Sequence, residues 1–152
     1  QKMKQIMTHI GAWAPMAEQK ALAVYLHNKP AIENYLSHYK KEIEERLSTI
    51  YNGLIELKKI GLPVDAIKPE AAIYLTVKID AVGKTTPDGK VLSSQAEVTA
   101  FLLDAAGLAL VPFYAFGAAA SSPWYRMSIG TCKKEEIASM LQQLRNALQP
   151  LH

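Results

Sequence analysis

One arginine of this chain stands in an apolar stretch, where its charge is hard to accommodate. Arg126 lies between Tyr125 and Met127, in a segment whose composition predicts a β-strand. The other two arginines lie in charged helical sequence, where exposure to solvent is the ordinary outcome. A guanidinium is rarely buried without an anionic partner, and its planar fork can bind a carboxylate through two parallel hydrogen bonds. The partner of Arg126 is therefore either a structural Asp or Glu of this chain or the carboxylate of a ligand.

The strand that carries Arg126 predicts where its side chain points. Side chains alternate across a strand, so Arg126 shares one face with Trp124 and Ser128, and this face is typical of the wall of a cleft. The opposite face, with Tyr125 and Met127, is suited to packing beneath helices. An acid on a neighbouring strand or helix remains the alternative partner for the guanidinium.

The remaining pattern predicts the elements that would position this strand. Apolar residues recur every three or four positions from 31 to 60, and Gly61 follows two lysines, which indicates a long helix and its end. From residue 73 onward the pattern predicts the order β-α-β-β-α. We therefore expect an α+β fold, in which a long N-terminal connecting helix leads to a small domain whose sheet is covered on one face by helices.

Composition and charge limit the classes of function. The chain has 152 residues, 49% of them hydrophobic and 20% charged, with a net charge of +3 and a single cysteine. It has no apolar run long enough to span a bilayer and no basic stripe interleaved with aromatic residues. A single cysteine cannot form a disulfide within the chain, and this is typical of proteins in a reducing compartment. These properties predict a cytoplasmic protein that binds neither membranes nor nucleic acid.

Several motifs that carry chemistry are absent from the sequence. Neither glycine-rich nucleotide fingerprint occurs, and there is no G-x-S-x-G nucleophile motif. The four histidines lack the spacing of metal ligands, so we predict no metal site. Cys132 precedes a predicted helix but has no histidine near it in sequence, which favours a buried or idle thiol over a nucleophile.

Taken together, several segments resemble the C-terminal region of class I/II pyridoxal-phosphate-dependent aminotransferases of fold type I. In chain order these segments are the helix at 14–26, the long helix to Gly61, Pro69–Tyr74, Gly107–Pro112, Ala115–Gly117 and Tyr125–Gly130. Their order and spacing carry the resemblance, which covers nearly all of the chain. It implies that residues 1–30 are a remnant of the large domain and dimer interface, 31–61 the connecting helix, and 62–152 the C-terminal small domain.

The resemblance also implies a function and roles for particular residues. The full-length enzyme would transfer an amino group between an amino acid and a 2-oxo acid, with pyridoxal phosphate as cofactor, and would act as a homodimer. Arg126 would bind the α-carboxylate of the substrate. Phe113, Tyr114 and Phe116 would line the substrate pocket, although a hydrophobic plug between loop and domain is an equal alternative for them. Trp13 would approach the active site of the partner subunit, although the segment Thr8–Pro15 also fits an ordinary loop that leads into a helix.

Some parts of the family pattern do not occur in this sequence. The Schiff-base lysine of the family lies in a Ser-x-x-Lys-type sequence followed by an arginine and a glycine, and Lys2 and Lys4 have different surroundings. We therefore expect no catalytic and no cofactor-binding residue in this chain, and no activity from the fragment alone. Phe113 and Ala71 stand where the family commonly has glycine, and their bulk leaves the choice of substrate open.

Three alternatives remain open at the level of sequence. The protein could be another pyridoxal-phosphate enzyme of fold type I, namely a decarboxylase, a lyase or an acyl transferase. It could be a non-catalytic α+β module that binds an amino acid or regulates another protein. It could also be an interaction domain whose contact surface is the face that carries Trp124.

Overall fold

The computed structural model describes residues 1–11 and 14–152 of the chain. The chain divides into two compact units, Gln1–Lys40 and Lys41–His152. Trp13, for which the sequence analysis predicts an approach to a partner's active site, lies outside the described residues. No helix in the described ranges combines the length and the apolarity that crossing a membrane requires.

The first unit is built of helices only in its described part. Helix α1 spans Lys2–Ile10 and ends at Gly11, whose φ of 78° is a left-handed conformation that glycine adopts at little cost. Helix α2 spans Met16–Tyr25, and the third helix begins in this unit. None of the described residues up to position 40 is buried, so the apolar side chains of α2 remain exposed within this unit.

Helix α3 spans Lys29–Lys59, close to the predicted range of 31–60. Pro30 falls in its first turn, where the missing N–H of proline costs nothing. Lys58 and Lys59 fall in the last turn, where they interact favourably with the helix dipole. The buried side chains of α3 all lie in the second unit, and they form one stripe: Leu47, Ile50, Leu54 and Leu57.

The second unit contains a four-stranded antiparallel sheet. Its strands are β1 (Val64–Ala66), β2 (Tyr74–Ile79), β3 (Val111–Pro112) and β4 (Trp124–Ser128), arranged in the order β1-β2-β4-β3. Strand β1 was not expected, because the sequence around it, between two prolines, predicts a loop. Strand β3 is shorter than its apolar pattern indicates and includes Pro112, which an edge strand tolerates because one side of its backbone needs no partner.

Two helices follow the strands as predicted. Helix α4 spans Gln95–Ala106, and helix α5 spans Lys134–Leu148, so the order β-α-β-β-α is confirmed. Ser94 caps α4, since its hydroxyl oxygen accepts a hydrogen bond from the backbone N–H of Glu97 at 3.3 Å. The fold is α+β, and buried residues of α3, α4 and α5 share one hydrophobic core with one face of the sheet. Helix α3 therefore covers this face of the sheet together with α4 and α5, the two helices that the sequence predicts after residue 73.

Tyr125, the neighbour of Arg126 in β4, fixes this strand to α4. Its side chain has 0% exposure, and its hydroxyl donates a hydrogen bond of 2.8 Å to Oε1 of Gln95, which is also buried. A buried polar pair of this kind is stable only while both partners are present. The pair therefore sets the position of β4, and with it the face that carries Arg126.

We expect Tyr125→Phe to lower the free energy of unfolding by about 1–3 kcal/mol, because Oε1 of Gln95 then remains buried without its donor. Urea denaturation followed by circular dichroism measures this change. Tyr74→Phe is the control, since Tyr74 is exposed on the neighbouring strand. Equal stability of the two variants would show that the hydroxyl of Tyr125 does not hold β4 against α4.

Candidate functional site

The sheet has a covered face and an open face, and Arg126 lies on the open one. Tyr125 and Met127 are buried beneath the helices, as predicted from the alternation. Trp124 and Arg126 are half-buried on the other face, and Ser128 is exposed there. The predicted division of β4 into a buried face and a less buried face that carries Arg126 is confirmed.

The guanidinium of Arg126 has no carboxylate partner within residues 1–11 and 14–152. Every ion pair found in those ranges involves a different cation: Arg46, Lys58, Lys59, Lys78, Lys90, Lys133 or Lys134. Its Nε atom is buried and has no hydrogen-bond partner. The structural alternative, in which an Asp or Glu of the chain neutralises Arg126, therefore finds no support in the described residues.

Two aromatic rings lie against the guanidinium instead. Its Cζ atom is 4.7 Å from the ring centroid of Tyr74 and 4.6 Å from that of Phe116. Such contacts are electrostatically favourable, because the face of an aromatic ring is negative. They stabilise the cation without neutralising its charge, so Arg126 can still receive an anion.

The strands beside β4 supply the other neighbours of Arg126. Thr76 of β2 and Val111 of β3 lie opposite Arg126 in the two registers. Lys78 lies two pairs further along the register, opposite Trp124, and its Nζ is 2.7 Å from a carboxylate oxygen of Asp80. The charge of Lys78 is thus compensated by Asp80, which directly follows the end of β2, whereas no described acid pairs with Arg126.

The predicted pocket residues Phe113 and Tyr114 lie on a short 3₁₀ turn, Phe113–Phe116, that follows β3. Both are half-buried, and the rings of Phe113 and Phe116 are nearly perpendicular, with centroids 6.4 Å apart. The turn ends at Gly117, whose φ of 90° strongly favours glycine. Of the three aromatic residues on this turn, the one recorded against the guanidinium is Phe116.

Tyr74 was not singled out by the sequence analysis, although it ends the segment Pro69–Tyr74 that carries part of the resemblance. The alternation of β2 puts Tyr74 on the opposite face from Leu75, which is buried. That signal was available in the sequence, but the pairing of β2 with β4 was not. Only this pairing brings the ring of Tyr74 next to Arg126.

A surface depression lies where α5 begins, near Cys132. Burial raises the pKa of the Cys132 thiol above its usual value of 9.0, and the nearby Glu136 raises it further, while Arg46 lowers it by less. The adjacent Lys134 pairs with Glu42 and Glu45. A thiol that remains protonated near neutral pH is a poor nucleophile, in line with the interpretation of Cys132 as idle.

The described residues contain no fully buried lysine and no cluster of metal ligands. None of the chain's described lysines is buried, and Lys78, the one on the Arg126 face, is paired with Asp80. A lysine that forms a Schiff base needs an unpaired, partly desolvated amine. Nor do the described ranges contain three His, Cys, Asp or Glu side chains grouped to hold a metal.

Comparison with known proteins gives a consistent result. Residues 1–144 match the family model described as aminotransferase class I and II. The chain is 31% identical over 122 residues to an aspartate aminotransferase of Rhizobium meliloti, a match that covers 80% of this chain and 28% of that protein. It is 36% identical over 105 residues to a probable aspartate/prephenate aminotransferase of Rickettsia bellii, covering 68% of this chain and 25% of that protein.

Solved structures show the same similarity. The crystal structure of the aspartate aminotransferase from Rhizobium meliloti superposes with a TM-score of 0.66 and 28% identity, over 78% of this chain and 28% of that chain. An alanine aminotransferase from Pyrococcus furiosus, 21% identical, shares the fold with a TM-score of 0.60. The chain therefore spans less than a third of the length of these relatives.

Proposed function

The chain belongs to the class I and II aminotransferases, and we propose that it is the part of such an enzyme that binds the carboxylate of the substrate. The whole enzyme would transfer an amino group between an amino acid and a 2-oxo acid. In this proposal residues 62–152 form the C-terminal small domain, and residues 31–61 connect it to a large domain. Because the curated relatives are named aspartate aminotransferases, aspartate is the first amino acid to test.

The observation that carries the proposal is the uncompensated charge of Arg126 on the open face of the sheet. A half-buried guanidinium without an acid costs free energy unless an anion joins it. The α-carboxylate of an amino acid is a planar anion that fits the guanidinium fork through two hydrogen bonds. The described residues offer no carboxylate to fill this role, which favours one from a ligand.

Arg126 would contribute to catalysis by binding and orienting the substrate. Two parallel hydrogen bonds fix both the position and the plane of the carboxylate, and thereby restrict rotation of the substrate at its Cα. In an aminotransferase the cofactor supplies the electron sink that makes the Cα–H bond acidic. Because the lysine motif of the family does not occur in this sequence, we place the cofactor seat in the large domain of the whole enzyme.

Helix α2 supports the proposal that the working enzyme is a homodimer. Its apolar side chains remain exposed within the first unit, and they include Met16, Leu22 and Val24. The resemblance assigns this region, at residues 14–26, to the interface between subunits. Burial of these side chains against a partner subunit would remove apolar surface from water, which stabilises the association.

The direct test is an assay of amino transfer with added pyridoxal phosphate. We expect the protein expressed from its complete gene to convert aspartate and 2-oxoglutarate into oxaloacetate and glutamate. We expect the 152-residue chain by itself to show no turnover and no visible absorbance from a Schiff base. Turnover by the chain alone would contradict the assignment of the cofactor seat. Amino-acid binding by the complete protein without cofactor or transfer would instead favour a regulatory module.

A further inference from the structure

The two rings that contact Arg126 come from opposite sides of its strand. Tyr74 is the first residue of β2, which pairs with β4 on one side. Phe116 is the last residue of the 3₁₀ turn that follows β3, and β3 pairs with β4 on the other side. Because these elements flank β4, the guanidinium contacts two aromatic side chains that are 42 residues apart in sequence, at positions 74 and 116.

The two rings are so exposed that packing in the hydrophobic core does not account for their position. Phe116 is 55% exposed and Tyr74 is 40% exposed, so neither belongs to the hydrophobic core. Phe116 has one recorded ring neighbour, Phe113, besides its contact with Arg126. What the two exposed rings have in common is their contact with the guanidinium.

The contacts also limit how an anion can reach Arg126. The rings approach the guanidinium within stacking distance, and its Nε atom is buried without a partner. The terminal nitrogens Nη1 and Nη2 form no ion pair within the described residues and are not among the buried unpartnered atoms. Of the three guanidinium nitrogens, Nη1 and Nη2 are therefore the candidates for contact with a ligand.

We propose that Tyr74 and Phe116 are positioning residues that hold the guanidinium of Arg126 so that a carboxylate binds end-on, through Nη1 and Nη2. This inference rests on the proposed function, in which Arg126 binds the carboxylate of the substrate. An unrestrained arginine side chain has many rotamers, and binding has to select one of them. Rings that restrict the side chain beforehand lower this entropic cost, so the affinity for the carboxylate rises without any new contact to the ligand.

The test uses nitrogen NMR of this chain, which has only three arginines. The Arg126 signals are assigned by their loss in Arg126→Lys, and pyruvate, a simple 2-oxo acid, is titrated at constant ionic strength. We expect pyruvate to shift the Nη signals more than the Nε signal. Phe116→Leu and Tyr74→Leu should each weaken pyruvate binding roughly two- to fivefold and speed the rotation of the guanidinium, given the usual strength of one cation–π contact.

Three variants serve as controls for this titration. Phe116→Tyr and Tyr74→Phe keep the rings and should retain the affinity of the original chain. Val111→Ala removes packing from the residue that pairs with Arg126 in β3 but leaves both rings, so it should also bind normally. These exposed positions lie outside the core, and a circular dichroism spectrum confirms that each variant is folded.

Two results would overturn the inference, and they can be told apart. If pyruvate binds the leucine variants as tightly as the original chain, or shifts Nε rather than Nη, the rings do not position the guanidinium, while the proposed function stands. If pyruvate moves no signal of Arg126 in the original chain, carboxylate binding by this residue is wrong, and the positioning role fails with it.

Discussion

Replacing Arg126 with glutamine is expected to lower kcat/KM for an amino-acid substrate by roughly 30- to 1000-fold in the complete, cofactor-loaded protein. Loss of one partner from a desolvated charge pair costs about 2–4 kcal/mol, and each 1.4 kcal/mol corresponds to about a factor of ten. Glutamine keeps a polar side chain but lacks both the charge and the guanidinium fork. Steady-state kinetics with aspartate and 2-oxoglutarate measures the effect.

Arg126→Lys separates the contribution of charge from that of shape. Lysine retains the positive charge but offers a point charge instead of a planar fork, so we expect a smaller loss, mainly as a higher KM. Arg145→Gln is the matched control, because Arg145 is exposed on α5 and has no role in the proposed site. If Arg126→Gln and Arg145→Gln had the same kinetics, the assignment of Arg126 to the substrate carboxylate would be wrong.

The second large effect concerns stability. We expect Leu102→Ala to lower the free energy of unfolding by about 2–5 kcal/mol, since it removes buried methyl groups and leaves a cavity. Leu102 has 0% exposure in the core that joins α4 to the sheet. Because a typical domain is stable by only about 5–15 kcal/mol, this single change would remove a large share of the total. Urea denaturation measures it.

Leu103→Ala is the matched control for this experiment. The two leucines are adjacent in α4, but Leu103 is 54% exposed and faces away from the core. The same chemical change there should alter the free energy of unfolding by less than about 0.5 kcal/mol. A comparable loss in both variants would contradict the orientation of α4 described above.

Much of the fold was predictable because local patterns set it. The spacing of apolar residues in α3 and the alternation in β2 and β4 are direct consequences of helix and strand geometry. The hydroxyl of Ser94 caps α4 by accepting a hydrogen bond from the backbone of Glu97, only three residues further along the chain, so a short stretch of sequence contains both partners. Strand β1 and the length of β3 were not predictable in this way, since the sequence around both is interrupted by proline, and pairing with the neighbouring strand defines them.

Prediction from local sequence patterns has the same limit at the candidate site. The sequence indicated that Arg126 faces away from the core, because its neighbours on either side are apolar and the period of a strand is two. It left open whether an acid of the chain would reach the guanidinium. That question depends on which side chains the strand order β1-β2-β4-β3 brings next to β4, and the order is a property of the whole second unit.

By itself, the sequence determined the type of most elements, the face of β4 that carries Arg126 and the likeness to one enzyme family. Each of these follows from residues close together in the chain or from the order of short segments. The tertiary structure alone decided that Tyr74 and Phe116 meet at the guanidinium and that no acid of the described residues forms an ion pair with it. The reason is physical: the contacts of a charged side chain depend on distance in space, and folding sets those distances between residues that are remote in sequence.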